Sequence, residues 1–317
     1  MDVADDMTGA TSGTGHRLAS SSARRALDIL GDRWTLMILH LAFKRVRRFD
    51  DFRAQTGMAR SLLTDRLRRM ELAGIIRRER YQERPPRDEY RLTPMGLDLF
   101  GASLMIIRWE KRWFFDPRVD VHALRHSCGN VFLPELRCTT CGEEVVARDV
   151  IVEDGPGAGM EPPQKARAQR RSIIDRGDLA PHERMLERAI EVIGDRWTAQ
   201  TIASAFSGVR RFGAFEADLG VAPNILTDRL TRLVDLGILK KEPYQQKPAR
   251  FDYRLTPEGL DLFPLIVELI RWGDRWLSGT AGPPQLLRHR PCGTPLVAEI
   301  RCDHCHRPVD AQSTAIG

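Results

Sequence analysis

Apolar residues recur along this chain at helical and at strand-like spacings, and the changes between them mark out elements. Ala26, Leu27, Leu30 and Trp34 line one side at helical spacing. Gly31 stands where that helix would end, and Asp32 can cap the next by accepting from free backbone N–H groups. The apolar run Trp34–Phe43 predicts a buried helix, and Phe49 and Phe52 a short amphipathic one. From Ala59 to Leu72, Leu63, Leu67 and Met70 share a face. Ser61, Thr64, Asp65, Arg68 and Arg69 project from the opposite face, with Arg60 at its start. IIRRERY and EYRLT are β-prone and flank QERPPRD, which predicts a hairpin whose tip carries Arg84 and Arg87. Thr93-Pro94 supplies an N-cap and a proline at the first helical position, opening a long apolar helix that runs to Trp113.

The whole pattern then repeats. GDRWT at Gly31–Thr35 returns at Gly194–Thr198, an offset of 163. The same offset carries RRF, LTDRL, YRLTP, GLDLF and the Arg108-Trp109 pair into the second half. One offset through so many blocks means two copies of one domain. In the second copy Leu226, Leu230 and Leu233 face inward, while Asn224, Thr227, Asp228, Thr231 and Arg232 face out. The second hairpin tip carries Lys247 and Arg250, and the second long helix ends at Trp276.

Composition narrows the class. The formal charge is +6 and the pI about 9.2, which suits a polyanionic partner without requiring one. The N-terminus lacks the basic and apolar regions of a signal peptide. The longest apolar run, near Leu262–Ile270, is far short of the roughly 20 residues of a bilayer span. A cytoplasmic protein without a membrane partner is expected, nucleoid-associated when bound to DNA. No Gly-rich phosphate loop, nucleophile elbow or recognisable acid/base pair points to an enzyme.

Helix, helix, helix and basic hairpin is the winged helix-turn-helix order. A polar-basic helix fits the major groove of double-stranded DNA, and a basic hairpin suits phosphate or the minor groove. Arg60, Ser61, Thr64, Arg68 and Arg69, with Asn224, Thr227, Thr231 and Arg232, are the candidate readers. Arg84, Arg87, Lys247 and Arg250 would work from the wings. Arg47 and Arg210 precede the third helix of each copy and suit phosphate contact. Asp65 is expected to pair with Arg68 or Arg69. Trp34, Trp109 and Trp113 are expected in the core or an interface.

These motifs resemble the HxlR family of winged-helix regulators: ALDILGDRWTLMIL, RRFDDF, LTDRLRRMELAGII, the wing from Tyr81 to Tyr90, and LTPMG. The resemblance implies operator binding by a two-fold pair of winged helices. It also implies self-association through the long C-terminal helices, with Leu104, Ile107 and Trp109 and their counterparts Val267, Ile270 and Trp272. Pairing within one chain and pairing between two chains both fit the sequence. Many members carry a cysteine just before the first helix, used in some for thiol sensing, but Ser21 and about Arg184 stand there instead.

All six cysteines follow the winged helices, three per copy. His126, Cys128, Cys138 and Cys141 form one candidate metal set, and His289, Cys292, Cys302 and Cys305 the other. Three thiolates and one imidazole would complete a structural zinc site in each module. His122 is an alternative ligand in the first, and His304 or His306 in the second. Unmetallated thiol clusters or a reversible disulfide are the other readings.

The expected fold is mainly α with small β (α+β): two winged helix-turn-helix domains, each followed by a zinc-ribbon-like module. Winged helices are placed at 21–116 and 181–281, and modules at 117–148 and 282–310. A Gly/Pro/charge-rich linker takes 149–180 and includes the basic run Lys165–Arg171, while 1–20 and 311–317 are tails. The functional expectation is a sequence-specific regulator, favouring a repressor, whose unequal copies read an asymmetric operator. The alternative is a metal- or redox-sensing protein-interaction module on a winged-helix scaffold.

Overall fold

A computed structural model describes residues 21–114, 123–159 and 187–316. In the first copy, α1 (Ser22–Leu30) starts at Ser21, whose hydroxyl accepts from the Ala23 N–H. Asp32 opens α2 (Arg33–Phe43) by accepting from the Thr35 N–H and hydroxyl at 3.2 and 2.9 Å. Then come α3 (Phe49–Thr56), α4 (Arg60–Leu72) and an antiparallel hairpin of β1 (Ile76–Gln82) and β2 (Arg87–Leu92). Thr93 caps α5 (Pro94–Leu97), and α6 (Phe100–Phe114) follows a turn. Short strands β3 (Leu124–His126), β4 (Pro134–Cys138) and β5 (Val150–Asp154) complete it.

The second copy runs α7 (Glu187–Ile193), α8 (Arg196–Phe206), α9 (Phe212–Leu219) and α10 (Pro223–Asp235). Next are the hairpin β6 (Leu239–Gln245) and β7 (Arg250–Leu255), α11 (Pro257–Leu260) and α12 (Phe263–Leu277). It closes with β8 (Gln285–His289), β9 (Ala298–Cys302) and β10 (Thr314–Ile316). The inward faces expected of α4 and α10 are buried: Leu63, Leu67 and Met70, and Leu226, Leu230 and Leu233. Trp34 and Trp109 are buried, and Trp113 is partly buried against the core.

The helix expected to run unbroken to Trp113 is two helices. A turn at Asp98 separates α5 from α6, and Asp261 does the same between α11 and α12. The break has a consequence for assembly, because both carboxylates reach the other copy. Asp98 accepts from Arg271 at 2.9 Å and from the Trp276 indole at 2.8 Å. Asp261 accepts from Arg108 at 2.9 Å and from the Trp113 indole at 2.8 Å. The Trp109 indole donates to Glu258 O, and the Trp272 indole to Met95 O. Every one of these contacts has its partner at the repeat offset, so the two copies face each other about a pseudo-two-fold axis. Asp32 and Asp195 form a bridge with each other across the two copies.

The pairing is not symmetric in detail. Glu268 is buried in α12, where burial pushes its carboxyl up, and it hydrogen-bonds Arg271. It lies against Gly101 of α6, where an added Cβ would come 2.2 Å from its Oε2. In α12, Gly273 sits against the Ser22 carbonyl, 2.4 Å from where a Cβ would be. On α6, Glu110 reaches the other copy, accepting from the Ala189 N–H at 2.8 Å.

The small modules are interleaved. β3 pairs with β10, β4 with β9 and β5 with β8, all antiparallel and all between copies. Paired structure therefore extends into both ends that the sequence had assigned otherwise. Val150–Asp154 was expected in the linker and Thr314–Ile316 in the C-terminal tail. Their side chains do not advertise a strand whose partner lies more than a hundred residues away. Residues 1–20, the run Lys165–Arg171 and Arg184 lie outside the described residues.

Candidate nucleic-acid interface and metal centres

Helices α4 and α10 are each anchored from below by an ion pair to the aspartate that caps α2 or α8. Arg66 lies on the inner side of α4, buried, with its guanidinium 2.8 Å from the Asp32 carboxylate. Arg229 of α10 meets Asp195 at 2.6 Å. The aspartate of GDRWT thus both caps a helix and holds the arginine of LTDRL, which explains why these blocks repeat together. Sequence reading missed Arg66 and Arg229. The available signal was an arginine beside the inward Leu67 and Leu230 in both copies.

With that anchor in place, the outer face is free to meet a ligand. Arg60, Ser61, Thr64, Arg68 and Arg69 are exposed on α4, and Asn224, Thr227, Thr231 and Arg232 on α10. Arg60, Ser61, Thr64, Asp65 and Arg68 line an open hollow. The Thr64 hydroxyl donates to the Arg60 carbonyl at 2.8 Å, and Thr227 to Pro223 likewise, so both oxygens keep lone pairs for accepting. Asp65 pairs with Arg69 at 3.0 Å and with Arg66 at 3.0 Å, leaving Arg68 without an ion pair among the described residues. Arg60 stacks over Phe49, at 5.4 Å from the ring centroid.

The hairpins are the wings. Arg84, Arg87, Lys247 and Arg250 are exposed at or beside their tips. Each wing is tied to the start of the third helix of its copy. The Tyr90 N–H donates to Arg47 O and the Tyr253 N–H to Arg210 O, both at 2.7 Å. Arg48 and Arg211 stack on Tyr81 and Tyr244. Arg47 is exposed and Arg210 half-buried at the junction. Helix face, junction and wing form one polar-basic surface per copy, and the surface occurs twice.

The eight candidate cysteine and histidine ligands form two groups, but not the two expected. One is His126, Cys128, Cys302 and Cys305; the other is Cys138, Cys141, His289 and Cys292. In each, the ligand atoms all lie within 4.8 Å of one another. The sequence reading grouped each set within its own copy. The cross-copy strand pairs exchange the Cys-x2-Cys arms instead, because β4 runs beside β9 and carries Cys138 away from Cys128. His304 and His306 are exposed and outside both groups, and His122 is outside the described residues.

Local backbone prepares these sulfurs. Cys128, Cys141, Cys292 and Cys305 each accept a hydrogen bond from the backbone N–H two residues on, at Asn130, Glu143, Thr294 and Arg307. The residue between is left-handed every time: Gly129, Gly142, Gly293 and His306, with φ of 90, 79, 70 and 57°. Only the last carries a side chain, in a conformation that L residues rarely adopt. The Thr294 hydroxyl brings the Cys292 thiol down to about 6, and the Arg307 backbone N–H does the same for Cys305, also to about 6. Both groups can hold a metal ion.

Two winged helix-turn-helix units with polar-basic outer faces define a DNA-binding transcription regulator. The chain belongs to the HxlR-like helix-turn-helix family, whose pattern it matches over residues 29–117 and again over 192–281. It is 44% identical over 126 residues to an uncharacterised HTH-type transcriptional regulator of Mycobacterium tuberculosis, covering 40% of this chain and 80% of that protein. It is 30% identical over 106 residues to the uncharacterised HTH-type regulator YvaP of Bacillus subtilis, covering 33% of this chain and 95% of that one. The crystal structure of PA1607, a candidate transcription factor, aligns with a TM-score of 0.38 at 33% identity, over 45% of this chain and 96% of that chain. Among the described residues, no helix is long and apolar enough to cross a membrane.

Proposed function

We propose that the chain acts as a single-chain pseudo-dimer that represses transcription by occupying an asymmetric operator, nucleoid-associated while bound. The observation that carries this reading is the pseudo-two-fold interface, which gives one chain two reading heads without a second subunit. Arg60, Ser61, Thr64 and Arg68 of one head would face base edges where the other offers Pro223, Asn224, Thr227 and Thr231. Arg69, Arg232, Arg47 and Arg210 would hold phosphates, with Arg84, Arg87, Lys247 and Arg250 on backbone or minor groove. A homodimer has identical heads and favours a palindrome. Here the side chains at equivalent positions of the two heads differ in size, charge and hydrogen-bonding pattern.

The same reading takes zinc as the metal of both groups. Three sulfurs and one imidazole nitrogen suit its tetrahedral preference, and a set of four protein ligands leaves no open position for catalysis. The zinc would be structural.

The test is binding-site selection with the purified protein, followed by footprinting on the recovered sites and on the DNA upstream of its own gene. Two half-sites of different sequence, protected by one chain of 36.0 kDa, are expected. Two identical half-sites bound by two chains would refute the pseudo-dimer.

A further inference from the structure

We propose that each zinc ion is bound by both copies at once, so that the two metals clasp the chain into an intramolecular pair of winged helices. The inference rests on the zinc reading above and goes beyond it, in assigning which halves of the chain share each ion.

The ligand geometry supports a shared tetrahedron. With the usual Zn–S and Zn–N bond lengths, the edges of a tetrahedral Cys3His site are about 3.8 Å for S···S and about 3.5 Å for S···N. Cys138 Sγ lies 3.9 Å from Cys292 Sγ, across the copies. Cys141 Sγ lies 3.3 Å from His289 Nδ1, also across the copies, and Cys292 Sγ lies 3.5 Å from the same nitrogen. In the other group Cys305 Sγ is 3.3 Å from His126 Nδ1, again across the copies. The sulfur separation is near that edge and nearly twice the roughly 2.05 Å of a disulfide.

The backbone agrees with the side chains. No named strand of these modules pairs with another of its own copy among the described residues. Each group takes a histidine and a nearby cysteine from one copy and a Cys-x2-Cys arm from the other. Hydrogen bonds to the sulfurs are matched as well: Asn130 Nδ2 donates to Cys128, and Thr294 Oγ1 lies 3.1 Å from Cys292 at the equivalent place. Asn130 and Thr294 thus support the outer shell that orients metal ligands. The two groups are therefore related by the same pseudo-two-fold axis as the helices.

Zinc content of paired variants in the full chain separates the two ligand groupings. Wild-type protein should hold two zinc ions, one per group, that resist a moderate chelator. Cys128→Ser with Cys302→Ser removes two ligands from one shared site and none from the other, so one resistant zinc should remain. Cys128→Ser with Cys138→Ser removes one ligand from each shared site, so neither zinc should resist. The reverse pattern would mean that each copy holds its own ion, and would overturn the clasp while sparing the zinc reading. No zinc in the wild type would sink the zinc reading itself. Brief bis-alkylation of wild-type protein with a short thiol crosslinker, followed by peptide mapping, covers a variant that does not fold. Links from 128 to 302 or 305 are expected, and links from 128 to 138 would overturn the proposal.

Discussion

Asp32 shows how much one side chain settles in this molecule. Its carboxylate caps α2 and holds Arg66 at the base of α4. Replacing it with Ala removes a cap, at about 1 kcal/mol, and leaves the buried Arg66 guanidinium with only the half-exposed Asp65 carboxylate. We expect Asp32→Ala to cost about 2–4 kcal/mol in urea denaturation. Asp32→Asn keeps an acceptor for the cap and should recover only the smaller part. A full recovery of stability in Asp32→Asn would argue that the ion pair contributes nothing. On the outer face, Arg68→Ala should weaken binding at one half-site by about 1–3 kcal/mol and relax its base preference. Thr231→Ala, at the equivalent place in the other head, should have the smaller effect. Fluorescence anisotropy on operators with each half-site scrambled in turn reads the difference.

At the scale of elements, the decisive contacts are close helix approaches. Gly273 of α12 meets a backbone carbonyl at Ser22, which cannot move without shifting α1. Gly101 of α6 meets Oε2 at the end of the Glu268 side chain, which is buried and hydrogen-bonded to Arg271. Gly→Ala in a helix gains roughly 0.5–1 kcal/mol when there is space. Gly101→Ala should therefore cost less than Gly273→Ala, because the end of a side chain can give where a backbone carbonyl cannot, and Gly273→Ala should lose about 1–3 kcal/mol through overpacking. Thermal melts of the two variants side by side decide the matter. A melt of Gly273→Ala as stable as wild type would place the α1–α12 packing in error. The same elements show where pattern reading succeeded. Inward Leu63, Leu67 and Met70 were legible because period and burial coincide. The breaks at Asp98 and Asp261 were not, because nothing local in GLDLF distinguishes a turn that serves the opposite copy from a continuing helix.

The whole molecule carries two winged helices on one chain. Binding should follow the counterion rule, so affinity for operator should fall by about a thousandfold or more between 50 and 200 mM salt if six or more phosphates are neutralised. A flat salt response would be incompatible with the wing and junction arginines touching phosphate. The proposed zinc sites act at this scale too. Stripping zinc with a strong chelator should lower the melting temperature of the full chain and reduce its preference for correctly spaced half-sites, since the interleaved modules help hold the copies in place. Unchanged melting and spacing preference after verified zinc loss would leave the modules without a structural role.

The sequence by itself determined the repeat, the winged-helix order, the outward polar-basic faces and the ligand types. Each is written in local spacing, which a constant offset makes visible twice. Only the tertiary structure decided how the copies share their parts. Identical motifs in both halves satisfy within-copy and between-copy pairing equally well on paper. The choice falls to contacts between residues far apart in the chain: Asp98 with Arg271, Asp261 with Arg108, and β4 alongside β9. Those contacts carry Cys302 and Cys305 to His126 and Cys128, and so exchange the ligands that chain order alone had grouped within each copy.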